Sequence, residues 1–499
     1  MSFAGKAAAA SAIVVVVLLV LLMWDPAGER GDKLPSELMF YCAAGIKPPV
    51  ESVAKQYEAE FGVRIQLQYG GSGTLLSNMR VSRQGDLYLA ADDSYIEMAR
   101  AQDLIVESLP LARMHPVIAV RKGNPKKIHT VADLLREEVA LALANPDAAA
   151  VGKIVRQLLE EEGSWQEIKA ATRVFKPTVS DVANDVRIGS VDAGIVWDAT
   201  ANQYPELEVV EIPAFQKIER TISVAVMSDS KNATEALRFA RYLGARDKGL
   251  LEFKRYAYTP VEGDVWEQTP ELVFFSGGVN RLAVEDTLRE FEVREGVRIT
   301  RVFNGCGILV SQMAAGQRPD MYFACDVSFM TQVEDLFTDI SIVSETDVVI
   351  LTAKGNPLGI HSPSDLARPG IKVGVANEKQ SALGALTKRM LIDLGLYDAV
   401  SANVKTRTPT ADLLVNQMRA GSLDAVVVYR ANTIYAKDDV DIVPIEHPLA
   451  KAIQPLAVGK NSKHRQLAQR LVSAIESAPS RERFTSTGFS WHAGKKHTQ

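Results

Sequence analysis

The sequence predicts an α/β protein of two tandem domains, each made of two lobes in which mixed β-sheets are flanked by helices, with a cleft between the lobes. Three observations carry that prediction. The first is a long internal repeat. Gly62-Val63-Arg64-Ile65 recurs as Gly296-Val297-Arg298-Ile299, Asp86 and Tyr88 as Asp320 and Tyr322, and Asp92 as Asp326, all at the spacing that separates Gly71 from Gly305. The register then slips by two residues, and Lys122-Gly123-Asn124-Pro125 recurs as Lys354-Gly355-Asn356-Pro357, Ala144-Asn145 as Ala376-Asn377, and Gly189 to Ala193 as Gly421 to Ala425. A solenoid or propeller repeats every 20 to 50 residues or so, and a period this long marks a duplicated domain. The second is the local pattern: apolar runs end in small-residue turns that lead into amphipathic helices, the alternation of a parallel or mixed sheet covered on both faces. The third is size, since 499 residues accommodate two large domains, each with a full core.

Taken in order, Lys6 precedes an apolar run from Ala7 to Trp24 that has no internal charge and ends at Asp25-Pro26. At about 1.5 Å per residue it nearly spans a hydrocarbon core of roughly 30 Å, whereas a signal-peptide core is about 7 to 15 residues. With no small-x-small cleavage site after Trp24, residues 7–24 read as a membrane anchor, with a signal segment as the alternative; either exports the rest of the chain. Residues 1–35 comprise this segment and a polar tether. The first domain is expected over 36–262, a linker over 263–270, the second domain over 271–491 and a tail over 492–499.

Leu38 to Cys42 is a continuous apolar run, hence a buried parallel strand, followed by Ala43-Ala44-Gly45 and a helix carrying Val50, Val53, Ala54, Tyr57 and Phe61 on one face. Val63, Ile65, Leu67 and Tyr69 alternate with Arg64, Gln66 and Gln68 as in a half-buried strand. That strand enters Gly70-Gly71-Ser72-Gly73-Thr74, after which Leu75, Leu76 and Met79 return at helical spacing. Such a helix start directs backbone N–H groups and the positive end of the helix dipole at an oxyanion without any lysine, and Ser72 adds a hydroxyl. An ordinary turn capped by Ser72 has the same local sequence, and the recurrence as Asn304-Gly305-Cys306-Gly307 is what singles it out. Asp86 to Ala90 is a third strand. A second lobe starts near Val117, with small-residue helix starts after Asn145-Pro146-Asp147 and at Thr178. Ala193 to Trp197 is a strand ending on an aromatic, and Ile222 to Met227 with the helix around Ala236 to Leu243 returns to the first lobe.

This pattern resembles the substrate-binding proteins of ABC importers, and among them the molybdate- and tungstate-binding family, over nearly all of Leu38 to Trp491 as two copies. The residues that carry the resemblance are Phe40 to Gly45, Gly71-Ser72-Gly73, Asp86 to Asp92, Asn145-Pro146-Asp147 with Gly152, and Asp192 to Trp197. It implies a periplasmic-binding-protein-like (type II) fold whose lobes close over a tetrahedral oxyanion and present the closed form to a permease. It also implies a periplasmic location, here anchored to the cytoplasmic membrane by residues 7–24, and no enzymatic activity or cofactor. The family's ligand positions fall on Gly45, Ser72 and Gly73, on backbone donors near Val151 and Val182, and on Trp197 in place of a tyrosine. In the second copy they fall near Val279, Cys306, Leu383, Leu413 and Tyr429. A thiol is a weaker donor than a hydroxyl, so the first cleft is expected to be the tight one. The altered site residues and the anchor also fit a second reading, a membrane-anchored sensory or scaffold protein with a degenerate binding fold.

Other chemistries find little support. A net charge of −5 gives no basic footprint for nucleic acid. Gly152-Lys153 lacks the upstream glycine and the following Ser or Thr of a phosphate loop. The seven histidines are scattered without metal-ligand spacing. A Cys306–His361 nucleophile pair has no evident orienting third residue. Cys42, Cys306 and Cys325 are the only thiols, too few for a disulfide framework. Cys306 and Cys325 could meet at adjacent loop ends, although small buried side chains are the plainer reading.

Overall fold

The computed structural model describes residues 37–434 and 436–496. The apolar segment 7–24 lies outside the described residues, among which no helix is long and apolar enough to cross a membrane.

In the first lobe of the first copy, strands Glu37–Ala43, Arg64–Gly70 and Leu87–Ala90 run parallel, with Glu37–Ala43 in the middle. Leu38, Phe40 and Cys42 are fully buried there, which explains the unbroken apolar run. Arg220–Met227 returns from the second lobe and inserts antiparallel between Leu87–Ala90 and Ile105–Met114. The second lobe is a five-stranded sheet in the order Thr172–Lys176, Leu141–Ala144, Ala193–Trp197, Pro116–Arg121, Leu207–Val210. The chain crosses between the lobes at His115, where Pro116 has no N–H to continue a ladder. Asp198 pins this crossing: its carboxylate accepts the His115 N–H at 3.2 Å, and its own N–H donates to the His115 carbonyl at 3.0 Å.

The second copy repeats this plan with one difference. Its crossing lies inside a single strand, Phe337–Ala353, which pairs with Lys451–Gly459 in one lobe and with Ala425–Tyr429 and Val440–Pro444 in the other. Val348 opposes Tyr429 where Pro116 opposes Trp197, and with its N–H restored both lobes share one ten-stranded sheet. The strand Ser490–Lys496 also pairs with Phe337–Ala353, so the sheet extends past Trp491 into the expected tail.

Residues 263–270 are docked between the copies. The Asp264 carboxylate accepts the N–H groups of Gln466 at 2.8 Å and Leu467 at 2.9 Å, capping the helix Arg465–Ile475 from outside. The Val265 N–H donates to the Lys463 carbonyl at 3.1 Å, and the Trp266 ring packs edge-on against Tyr242, with centroids 4.9 Å apart.

Candidate functional site

In the first copy the expected anion turn sits where the two lobes meet. Gly71, rather than Ser72, is the N-cap of helix Ser72–Ser82, in extended conformation with φ −69° and ψ 146°. Its lack of a side chain serves close approach, because a Cβ there would lie 2.3 Å from the Ala148 carbonyl oxygen and 2.8 Å from that of Pro177, both in the opposite lobe. A Cβ on Gly73 would lie 2.8 Å from the Asp147 carbonyl oxygen. The lobes are therefore closed backbone to backbone. The N–H groups of Gly73 and Thr74, expected to be free for an anion, donate instead to the Ala148 carbonyl at 2.9 and 3.4 Å.

Ser72 is 1% exposed, and its hydroxyl oxygen accepts the Ala91 N–H at 3.1 Å, leaving the hydroxyl hydrogen to donate. A Cβ on Gly45 would stand 2.7 Å from Val179 Cγ1, 3.2 Å from Thr200 Oγ1 and 3.9 Å from Trp197 Cδ1, so the fold brings Gly45, Trp197 and the start of helix Val179–Ile188 together. The Gly45 carbonyl accepts the Tyr258 hydroxyl at 2.6 Å. Val151 is the second residue of helix Ala150–Glu161, where backbone donors have no intrahelical partner. Val182 lies one turn too deep, since its N–H donates to the Thr178 carbonyl and the Thr178 hydroxyl caps the Asp181 N–H. The donors at that helix start are those of Val179 and Ser180. Thr200, buried with its hydroxyl unpartnered, joins the cleft although nothing in its sequence context distinguished it.

Beside Gly73 a cavity of about 270 Å3 is lined by Arg80, Tyr95, Asp147, Lys153 and Arg156. Lys153 donates to the Ser94 hydroxyl at 2.9 Å and lies 4.8 Å above the centroid of the Tyr95 ring, while Arg156 pairs with Asp147 at 3.0 Å.

The second cleft repeats the frame with different side chains. Cβ atoms on Gly305 and Gly307 would lie 2.3 Å from the Gln380 and 1.9 Å from the Lys379 carbonyl oxygens, and the Gly307 N–H donates to Gln380 at 3.0 Å. Cys306 stands in for Ser72: its sulfur accepts the Cys325 N–H at 3.1 Å, and the two Sγ atoms are 2.8 Å apart. The Tyr429 hydroxyl is buried without a partner. Burial, with Cys325, Asp326 and Cys306 nearby, pushes its pKa well up and keeps it a donor. Leu383 lies at the start of helix Ala382–Asp393, and Val279, Asp412 and Asn432 line a cavity of about 490 Å3. Leu413 does not join this group, because it is 45% exposed; the buried Leu414 is the residue that answers to Val182.

Residues 38–255 and 272–490 each match the family model of the bacterial extracellular solute-binding proteins. A Haemophilus influenzae protein described as a binding protein is 28% identical over 204 residues, 40% of this chain and 82% of that protein. The molybdate-binding protein ModA of Mycobacterium tuberculosis is 24% identical over 224 residues, 44% of this chain and 84% of that protein. Among solved structures, the periplasmic molybdate-binding protein of Azotobacter vinelandii matches with a TM-score of 0.40 and 16% identity, over 44% of this chain and 98% of that one. Each sequence relative is matched over most of its length by less than half of this chain, the proportion expected when a single-domain protein meets one copy of a duplication.

Proposed function

The chain belongs to the bacterial extracellular solute-binding proteins, present in two tandem copies, and from this we propose that it is the extracytoplasmic capture component of an ABC importer for a tetrahedral oxyanion of the molybdate or tungstate class. The observation that carries the proposal is the meeting, in one closed cleft, of the helix start at Ser72 with the segments leading into helices Ala150–Glu161 and Val179–Ile188. The donors gathered there are backbone N–H groups and the hydroxyls of Ser72 and Thr200, suited to an anion bound without a countercharge. Each such charge-assisted bond contributes about 1.5 to 3 kcal/mol, so a few of them give micromolar capture while leaving release easy. Arg80, Lys153 and Arg156 beside Gly73 add a positive field that steers anions inward. In this proposal residues 7–24 hold the protein at the membrane, next to the permease.

Calorimetry of the chain against molybdate, tungstate, sulfate, phosphate esters and amino acids tests the ligand class. Binding of a group VI oxyanion is the expected result, and heat from phosphate esters or amino acids alone would overturn it. The second reading, a degenerate sensory or scaffold protein, draws on Trp197 in place of the family's tyrosine and on the donors already occupied by Ala148. No thermal shift with any oxyanion would favour it.

A further inference from the structure

We infer that Cys306 and Cys325 form a reversible disulfide in the first-lobe wall of the second cleft. Their Sγ atoms, 2.8 Å apart, lie about 0.8 Å from disulfide bonding distance, and the backbone already ties the two residues through the Cys325 N–H to Cys306 Sγ contact at 3.1 Å. Space for the pair comes from a third position. A Cβ on Gly277 would lie 2.0 Å from Cys325 Sγ and 3.0 Å from Cys306 Sγ, so any larger residue there would displace the thiols. At the corresponding positions the first copy has Ala43, Ser72 and Ala91. There the Ser72 oxygen accepts the Ala91 N–H at the same 3.1 Å, and no second polar atom follows. The second copy thus departs from the first at three neighbouring positions together, two gaining sulfur and one losing a methyl.

The site is redox-addressable because family members are extracellular, where disulfides persist. The oxidant is a small or protein disulfide, R–S–S–R. One cysteine thiolate attacks it and expels RS⁻; the second attacks the resulting mixed disulfide and expels another RS⁻. The two thiol protons end on the leaving groups, so the dithiol loses two electrons and the oxidant becomes two RSH. Both thiols are buried in the closed form, so exchange proceeds through the open cleft and closure shields the pair. Oxidation removes both S–H donors from the second cleft and leaves the Ser72 hydroxyl of the first untouched.

The test equilibrates the full chain with glutathione buffers of rising oxidised-to-reduced ratio, then applies acid quenching, alkylation under denaturing conditions and peptide mass mapping. The expected product is about 2 Da lighter, with the Cys306 and Cys325 peptides linked and Cys42 the one alkylated thiol. The double variant Cys306→Ser with Cys325→Ala restores the first copy's Ser72–Ala91 pair and should fold while showing no mass loss. Three alkylated thiols at every ratio, a lone glutathione adduct without an internal link, or a link through Cys42 would each overturn the inference. None of these readouts depends on oxyanion binding, so this inference and the proposed function fail separately.

Discussion

Arg241 of the first copy reaches across the duplication to Glu295 of the second, with Nη1 3.0 Å from the carboxylate and Glu295 only 1% exposed. From the other side Arg470 approaches the same carboxylate at 2.6 Å, and alongside them Arg294 forms a two-pronged pair with Glu107 at 2.8 and 2.9 Å. Together with the cap that Asp264 provides for helix Arg465–Ile475, these contacts fix the first lobes of the two copies to each other. None of the cleft residues named above takes part in this contact.

Glu295→Gln should loosen this junction more than any surface substitution. It leaves two buried guanidinium groups facing a neutral amide, and removing one partner of such a buried cluster costs about 3 to 5 kcal/mol. Urea unfolding followed by tryptophan fluorescence should show a lower midpoint, with separate transitions for the two copies. A variant unfolding at the wild-type midpoint would show that the junction contributes nothing.

The same carboxylate predicts an acid limit for docking. Burial pushes the Glu295 pKa up, but Arg470 and Arg241 outweigh it and hold the group below the usual carboxylate range. A lowered folded pKa means that the stabilisation is fully present above the unfolded value, about 4.3, and is lost as pH falls through the folded value. The Tm advantage of wild type over Glu295→Gln should therefore be constant from pH 7 to about 5 and shrink below about 4. An advantage that grew on acidification would refute the assignment.

How much of this the sequence disclosed depended on range. The duplication, the strand to Cys42, the glycine turns and the return of Ile222–Met227 to the first lobe rest on local pattern and recurrence, both readable along the chain. Val131, Leu134 and Leu135 recur at helical spacing yet bracket only the single 3-10 turn Ala132–Leu135, because three apolar residues cannot fix a helix length. Val182 takes its expected place from a neighbouring turn, which does not say where the helix begins, and a helix start displaced by three residues sends a donor back into the helix; Leu413 stands one residue short of Leu414, the position that the shifted register of the repeat pairs with Val182. The occupation of the Gly73 N–H by Ala148 was hidden for another reason: sequence shows a donor but not what a closed cleft brings to it. The Arg241–Glu295–Arg470 cluster joins residues far apart in the chain with no periodic signature, so only the fold reveals it.

If the first cleft is the tight one, Ser72→Ala should weaken its isotherm at least tenfold, the loss of one charge-assisted bond of about 1.5 to 3 kcal/mol. Cys306→Ala should leave that isotherm unchanged, because Cys306 lies in the other cleft. A tight isotherm that survives Ser72→Ala and disappears with Tyr429→Phe would place the working site in the second copy, where the Tyr429 hydroxyl is an unpartnered buried donor.

Closure itself can be tested by adding a single methyl. Gly71 has φ −69° and ψ 146°, a conformation alanine adopts without strain, so Gly71→Ala has no backbone penalty and by restricting the unfolded chain adds about 0.4 to 1 kcal/mol. In the closed form, however, its Cβ would sit 2.3 Å from the Ala148 oxygen and 2.8 Å from the Pro177 oxygen, and main-chain atoms cannot swing aside as a side chain would. The lobes must part, losing the Gly73 N–H bond to Ala148, worth about 1 kcal/mol. Stability without ligand should therefore change little, small-angle scattering should report a wider first domain, and oxyanion affinity in that cleft should fall at least tenfold. Gly305→Ala is the matching probe of the second cleft, with its Cβ 2.3 Å from the Gln380 oxygen and 2.6 Å from that of Pro409. Whichever glycine abolishes binding identifies the cleft that works by closing, and wild-type affinity in both variants would mean that neither cleft needs this closed form to hold its ligand.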